Sequence, residues 1–395
     1  MFGLPDMRPV YLDYAATTPV DDQVADAMQD CLRLGDNFGN ASSNHAFGER
    51  AALAEERARS QLAAALNVQP SEVIWTSGAT ESDNLAIIGV ARYRRDKGQH
   101  LVTARTEHKA VVDAFRYLER EGFSVTWLTP STDGRIAPDQ VAAALQDDTT
   151  LVSLMAVNNE IGVVNDLDAI ADVVGEHGAL LHVDAAQAFG KMHLDLATVP
   201  IDLLSVTAHK CYGPKGIGAL FVSKRLGGNL EPLLYGGGQQ RGLRPGTLPI
   251  HQIAGFGVAA ELASQRLDAD YARLTELGER LRRGLLSVPD VALNGSQQHR
   301  LPWLVNVSVG GVDGESLLAA MSPVALATGS ACHAMRAEPS VVLKAHGLSD
   351  ARAGASLRFS AGRGTTADDI DLVIERFEQA VGRLRQIAGP LWCAS

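Results

Sequence analysis

The chain has 395 residues, 46% of them hydrophobic and 21% charged, with a formal net charge of −11. That length exceeds one ordinary core and predicts a large and a small domain, the hydrophobic share excludes a disordered chain, and the acidic balance argues against direct nucleic-acid binding, which needs Lys and Arg in excess. No apolar run approaches a membrane span, no signal peptide opens the chain, and the four cysteines (Cys31, Cys211, Cys332 and Cys393) form no C-x-x-C pair, so a cytoplasmic protein with free thiols and no structural metal is expected.

Residues 49–66, "ERAALAEERARSQLAAAL", combine helical spacing with strong helix formers and predict a helix. Short β-rich runs ending in small or polar residues then alternate with helical stretches. "EVIWTSGAT" (72–80) leads into "ESDNLAIIGVARYRRD", and "HLVTARTEHKA" (100–110) leads into "VVDAFRYLEREG". "TLVSLMAVNNE" (150–160), "ALLHVDAAQ" (179–187) and "DLLSVTAHK" (202–210) follow the same plan, before a hairpin strand in "GIGALFVSK". This alternation predicts an α/β fold with a mostly parallel sheet covered by helices, and ligands bound beyond the carboxyl ends of its strands.

After about residue 258 the texture changes. "YARLTELGERLRRGLLSV" (271–288) predicts a long amphipathic helix, and "WLVNVSV" (303–309) and "ASLRFSAG" (355–362) predict strands. In 368–388 the apolar residues Ile370, Val373, Ile374, Phe377, Val381 and Leu384 form one helix face. The expected organisation is an N-terminal segment (1–15) packing with the small domain, a large domain (16–258), and a smaller α+β C-terminal domain (259–395).

Strand ends carry the chemistry. Asp184 follows "ALLHV", Lys210 follows "DLLSVTA", Thr80 follows "VIWTSG", His108 follows "LVTARTE" and Asn159 follows "LVSLMAVN". Singly, each is most simply a cap or a solvated loop residue. Together they match one cofactor, pyridoxal 5′-phosphate, which needs a lysine to hold it, a carboxylate on its ring nitrogen and an anion cup at a helix N-terminus. "SGATES" (77–82) has the small residues and hydroxyls for that cup, His108 suits stacking on the ring, and Arg358 suits a bidentate grip on a substrate carboxylate. His182 and Asp184 could pair on a metal, but no third ligand stands at a useful spacing.

Longer stretches carry a resemblance: "YLDYAATTP", "TSGATESDNLAI", "TEHKAV", "VNNEIGVV", "HVDAAQ", "AHKCYGPKGIGAL", "RGLRPGTLPIHQI", "GSAC" and "LRFSAGR". Over nearly its whole length the chain resembles the cysteine desulfurases of the class V aminotransferase superfamily. The resemblance implies a large domain binding pyridoxal phosphate and a small domain carrying a catalytic cysteine. It implies that Lys210 holds the cofactor, Asp184 pairs with the ring nitrogen, His108 stacks on the ring, and Asn159 and Gln187 meet the phenolic-oxygen side. Ala79 (through its backbone), Thr80, Thr207 and His209 are implied for the phosphate, with Thr247 reaching the phosphate of the neighbouring subunit in a homodimer.

Arg358 is implied for the carboxylate of L-cysteine and Cys332 for attack on its sulfur, giving alanine and a persulfide. That persulfide passes to a sulfur-acceptor protein, an iron–sulfur scaffold or a relay for tRNA or cofactor thiolation. Gly329, Ser330 and Ala331 predict a mobile loop around Cys332, and His333 and Arg336 are expected to favour its thiolate. Cys211 departs from the apolar residue usual in relatives and reads as packing, with a second sulfur carrier as the alternative. His45 matches a family position near the site entrance. Two rival functions stand beside the desulfurase: a selenocysteine lyase or other carbon–sulfur lyase, and a catalytically inactive binding scaffold of the same fold.

Overall fold

A computed structural model describes residues 9–34, 37–328 and 340–388. The first half runs β1 (Val10–Tyr11), α1 (Asp22–Gln29), α2 (Ala46–Leu66), β2 (Val73–Thr76), α3 (Ala79–Tyr93), β3 (His100–Ala104), α4 (Lys109–Arg120), β4 (Ser124–Leu128), α5 (Pro138–Ala144), β5 (Thr149–Met155), α6 (Leu167–His177), β6 (Leu180–Asp184), β7 (Leu203–Thr207) and β8 (Gly218–Val222). The rest runs α7 (Ile250–Leu286), β9 (Val291–Leu293), β10 (Leu304–Val309), α8 (Gly314–Ala320), β11 (Val324–Ala325), α9 (Val341–Ala345), α10 (Asp350–Gly354), β12 (Ser356–Ser360) and α11 (Ala367–Ala388).

The large sheet has seven strands in the order β2-β8-β7-β6-β5-β3-β4. Only β8 runs antiparallel to its neighbours. Strands β3, β5, β6 and β7 are buried at every residue, as a sheet covered on both faces requires. Side chains alternate between the faces. Val152, Leu154, Leu181, Val183, Leu204 and Val206 join one core with Leu62 of α2, Ile170 of α6 and Phe256 of α7. Leu151, Leu180 and Leu203 face the other way, against Leu85 and Ile87 of α3 and Phe115 of α4. The sequence reading passes over β4, an edge strand that is mostly half-exposed and so lacks a clear apolar run.

A second sheet, β12-β10-β9, is antiparallel, and α11 packs near it through Phe377, whose ring meets Phe359 of β12 edge-on at 6.1 Å. The N-terminal strand β1 pairs in parallel with β11, and Leu12 bonds onward to both Ala325 and Ser360. The helix expected from residue 271 is corrected at its start. α7 begins at Ile250 and runs unbroken for 37 residues, through the expected boundary near 258. Gly255 and Gly257 weaken the helical signal in its first half. A Cβ at Gly257 would meet Ala58 Cα at 2.5 Å, so the glycine admits α2 at close range. No helix of the described residues is long and apolar enough to cross a membrane.

Candidate active site

The carboxyl ends of β3, β5, β6 and β7 open onto a cleft of about 1100 Å³. Ala79, Thr80, His108, Asn159 and Asp184 line it, as do Gln187, Thr207, His209, Lys210 and Arg358. Elements from distant parts of the chain therefore bring these expected residues together.

At one end stands the start of α3. Gly78 precedes it with φ 155°, a conformation that side chains rarely adopt, and no side chain caps the helix. The first N–H groups of a helix have no acceptor within it, so this turn offers unclaimed donors at its positive end. Thr80 adds a hydroxyl from the same turn, and Thr207 is buried at the end of β7. His209 is half-buried beside them. Burial, reinforced by Lys210 and Lys215, pushes its imidazole down to about 4, so it stands neutral with Nδ1 3.2 Å from Thr17 Oγ1. This donor set suits a phosphate.

At the other end Asp184 closes β6, its Oδ1 accepting the Ala186 N–H at 2.9 Å. Leu180, His182 and Asp184 share the sheet face toward α3 by strand alternation. His182 is fully buried, with Nδ1 2.8 Å from Ser153 Oγ and Nε2 2.9 Å from Ser205 Oγ. Burial holds its imidazole down at about 4. Asp83 of α3 lies 3.6 Å from His182 Nε2, and neither of its oxygens finds a hydrogen bond among the described residues. Burial and the nearby Asp184 push the Asp83 carboxyl well above its usual range. Glu107 is raised likewise by burial, while its Oε1 accepts the Met155 N–H at 3.0 Å.

His108 forms the N-cap of α4, its Nδ1 accepting the Ala110 N–H at 3.2 Å. An accepting Nδ1 places the hydrogen of the neutral ring on Nε2. Burial, with Lys210 adding to it, lowers this imidazole below its ordinary value. Lys210 follows β7 on a single helical turn. The segment from Ala15 to Thr18 braces that turn: Thr18 N–H and Thr18 Oγ1 both donate to the His209 carbonyl, at 2.9 and 3.0 Å. Arg358, buried in β12, donates to the Asn159 carbonyl and to Asp13 Oδ1, each at 2.8 Å. Its Nε has no partner among the described residues.

Other expected residues stand apart. Thr247 is exposed and does not line this chain's cleft. His45 caps α2, accepting the Gly48 N–H at 3.2 Å, and is not among the cleft-lining residues. Cys31 and Cys211 are both buried. Burial pushes the Cys211 thiol up to about 12, which suits packing and opposes sulfur transfer. Cys332, His333, Arg336 and Cys393 lie outside the described residues. Sequence reasoning missed Asp13, Asp83, Glu107 and Lys191. Each stands inside or beside a motif quoted above, yet only packing shows what it touches.

The family model described as aminotransferase class-V matches residues 10–373. A cysteine desulfurase IscS from Pseudomonas putida is 50% identical over 385 residues, covering 97% of this chain and 95% of the relative. Among solved structures, a NifS-like protein matches with a TM-score of 0.89 at 32% identity, covering 95% of this chain and all of its own. SspA, solved in complex with cysteine, matches with a TM-score of 0.81 at 38% identity, covering 90% of this chain and all of its own.

Proposed function

The chain belongs to the class-V aminotransferase family, among its cysteine desulfurases, and from that premise we propose that it uses pyridoxal 5′-phosphate to convert L-cysteine to L-alanine, leaving the sulfur as a persulfide on Cys332. The observation that carries this reading is the meeting of Lys210, Asp184, His108 and Arg358 in one cleft with the uncapped start of α3.

When bound, pyridoxal phosphate supplies an electron sink that draws charge from the substrate's α-carbon and loosens the β-carbon–sulfur bond. The α3 turn with Thr80, Thr207 and His209 holds the phosphate, with Ala79 contributing its backbone. Lys210 would hold the cofactor and, once released, would move the substrate's α-proton. Asp184 would keep a proton on the ring nitrogen, and Gln187 and Asn159 would meet the phenolic-oxygen side. His108 covers the ring and can donate from Nε2. Arg358 grips the substrate carboxylate, its plane already oriented by Asp13 and the Asn159 carbonyl. The Cys332 thiolate bonds to the substrate sulfur as the carbon–sulfur bond breaks. The bonding pair stays with the β-carbon, which takes a proton to become the methyl group of alanine.

The persulfide then passes to a sulfur-acceptor protein. Thr247, exposed on its own chain, serves the partner's phosphate site in a homodimer, and the protein works in the cytoplasm. One experiment tests the core of this reading. The purified holoenzyme is mixed with L-cysteine and a reductant, and alanine and sulfide are measured for wild type and Cys332→Ala. Loss of both products in the variant is expected. Undiminished alanine would overturn the nucleophile assignment, and sulfide release with no protein persulfide in the wild type would favour a simple lyase.

A further inference from the structure

Lys191 lies on the turn after β6, four residues beyond Gln187. The residue as a whole is partly accessible, but its amine sits among protein atoms, near Lys210, Cys211 and Arg358. No carboxylate of the described residues forms an ion pair with it. An amine so placed is costly to keep charged, and burial, reinforced by Lys210, lowers it to about 7. The structure gives it a defined bond instead: Lys191 Nζ donates to Gln187 Oε1 at 2.7 Å.

Gln187 is buried in the cleft wall, and its Nε2 donates to the Ala15 carbonyl at 2.7 Å. A primary amide has two N–H donors and one carbonyl. Ala15 takes one hydrogen and Lys191 takes the oxygen, so the remaining N–H is the group left for a ligand. With Ala15 alone, the amide could pivot about a single contact. The second anchor fixes its plane.

We propose that Lys191 is a positioning residue of the cofactor site, holding the Gln187 amide so that its remaining N–H is presented to the phenolic oxygen of bound pyridoxal phosphate. This rests on the cofactor reading above. A donor aimed at that oxygen favours its anionic form, so losing the donor raises the pH at which the bound chromophore takes up a proton.

The test is a pH titration of the visible absorbance of reconstituted holoenzyme, for wild type, Lys191→Met, Gln187→Leu and the double variant. Lys191→Met is expected to raise the spectroscopic midpoint by about 0.5–1 pH unit, the equivalent of one ordinary hydrogen bond. In the Gln187→Leu background it is expected to add nothing. An unshifted midpoint in Lys191→Met would overturn the proposal. So would an equal shift in both backgrounds, because Lys191 would then act by charge alone. If Lys191→Met fails to fold, Gln187→Leu decides: a folded, cofactor-loaded Gln187→Leu protein with the wild-type midpoint removes the hydrogen bond that Lys191 is said to hold. A wild-type protein that shows no cofactor absorbance sinks the cofactor reading itself, a separate result.

Discussion

The two faces of the large sheet are built from the same strands and differ in what they bury. Toward α2, α6 and α7 the central strands present Val152, Leu154, Leu181, Val183, Leu204 and Val206. Toward α3 the same strands present Leu151, Leu180 and Leu203 and then, nearer their carboxyl ends, Ser153, His182, Asp184 and Ser205, all buried. Polar burial is costly unless each group finds a hydrogen bond, and neither Asp83 oxygen in this layer has one among the described residues, with His182 Nε2 at 3.6 Å. The apolar face has no such debt and can be explained by packing alone. The polar face makes sense as the foundation of the cleft: Asp184 and Thr207 are the last residues of strands whose earlier members form this layer. The α3 face is thus divided along its strands, with an apolar core at Leu151, Leu180 and Leu203 and the polar layer nearer the carboxyl ends, where the chemistry lies.

Breaking the apolar face should have the largest effect. Phe256 is fully buried, with Trp75 and Phe189 at 5.9 and 6.0 Å between ring centroids. Phe256→Ala should cost about 3–5 kcal/mol in denaturant unfolding, while the folded fraction keeps wild-type cofactor affinity. A loss of affinity without a loss of stability would undo the division. Next comes the polar face at its functional end. Asp184→Asn keeps an acceptor for the Ala186 N–H, so stability should stay within about 1 kcal/mol while alanine formation falls about 10²–10³-fold. Equal loss of both would count against the comparison.

A third prediction works through pH. The His182 imidazole falls from an ordinary 6.5 to about 4 in the folded protein. Between those values the unfolded chain binds more protons, so this contribution is complete above pH 6.5 and is lost as pH falls through 4. It amounts to about 3 kcal/mol for so buried a group. The gap in unfolding free energy between wild type and His182→Gln should narrow by that amount on acidification. A gap independent of pH would mean that His182 does not titrate as described. The smallest effect lies outside both faces. His45→Ala removes the α2 cap and should cost about 1 kcal/mol in thermal or denaturant unfolding, with turnover unchanged.

Much of the site was legible because strand ends announce themselves. An apolar run stops, a polar residue follows, and parallel strands put those residues at one edge. Asp184, His108, Thr80 and Lys210 were readable on that ground. Asp13 and Lys191 were not, because their partners Arg358 and Gln187 are defined by packing: 345 residues separate Asp13 from Arg358, and a lysine four residues from a glutamine carries no signal of its own. Asp83 was hidden differently. An aspartate in the first turns of a helix is ordinarily a favourable surface charge, and only the sheet behind α3 turns it into a buried group. The early start of α7 was masked by Gly255 and Gly257, whose use lies in the close approach of α1 and α2 respectively.

That helix has a consequence for how such a chain can be rearranged. At 1.5 Å per residue its 37 residues span about 55 Å, from the helices beside the large sheet to β10 and α11. Its residues belong to one continuous core shared by the large sheet, β10 and α11. A cut inside it would leave two fragments, each with an open core. Chimaeras that trade lobes between relatives should therefore fold only when the crossover falls before Ile250 or after Leu286, and the whole helix travels with one parent.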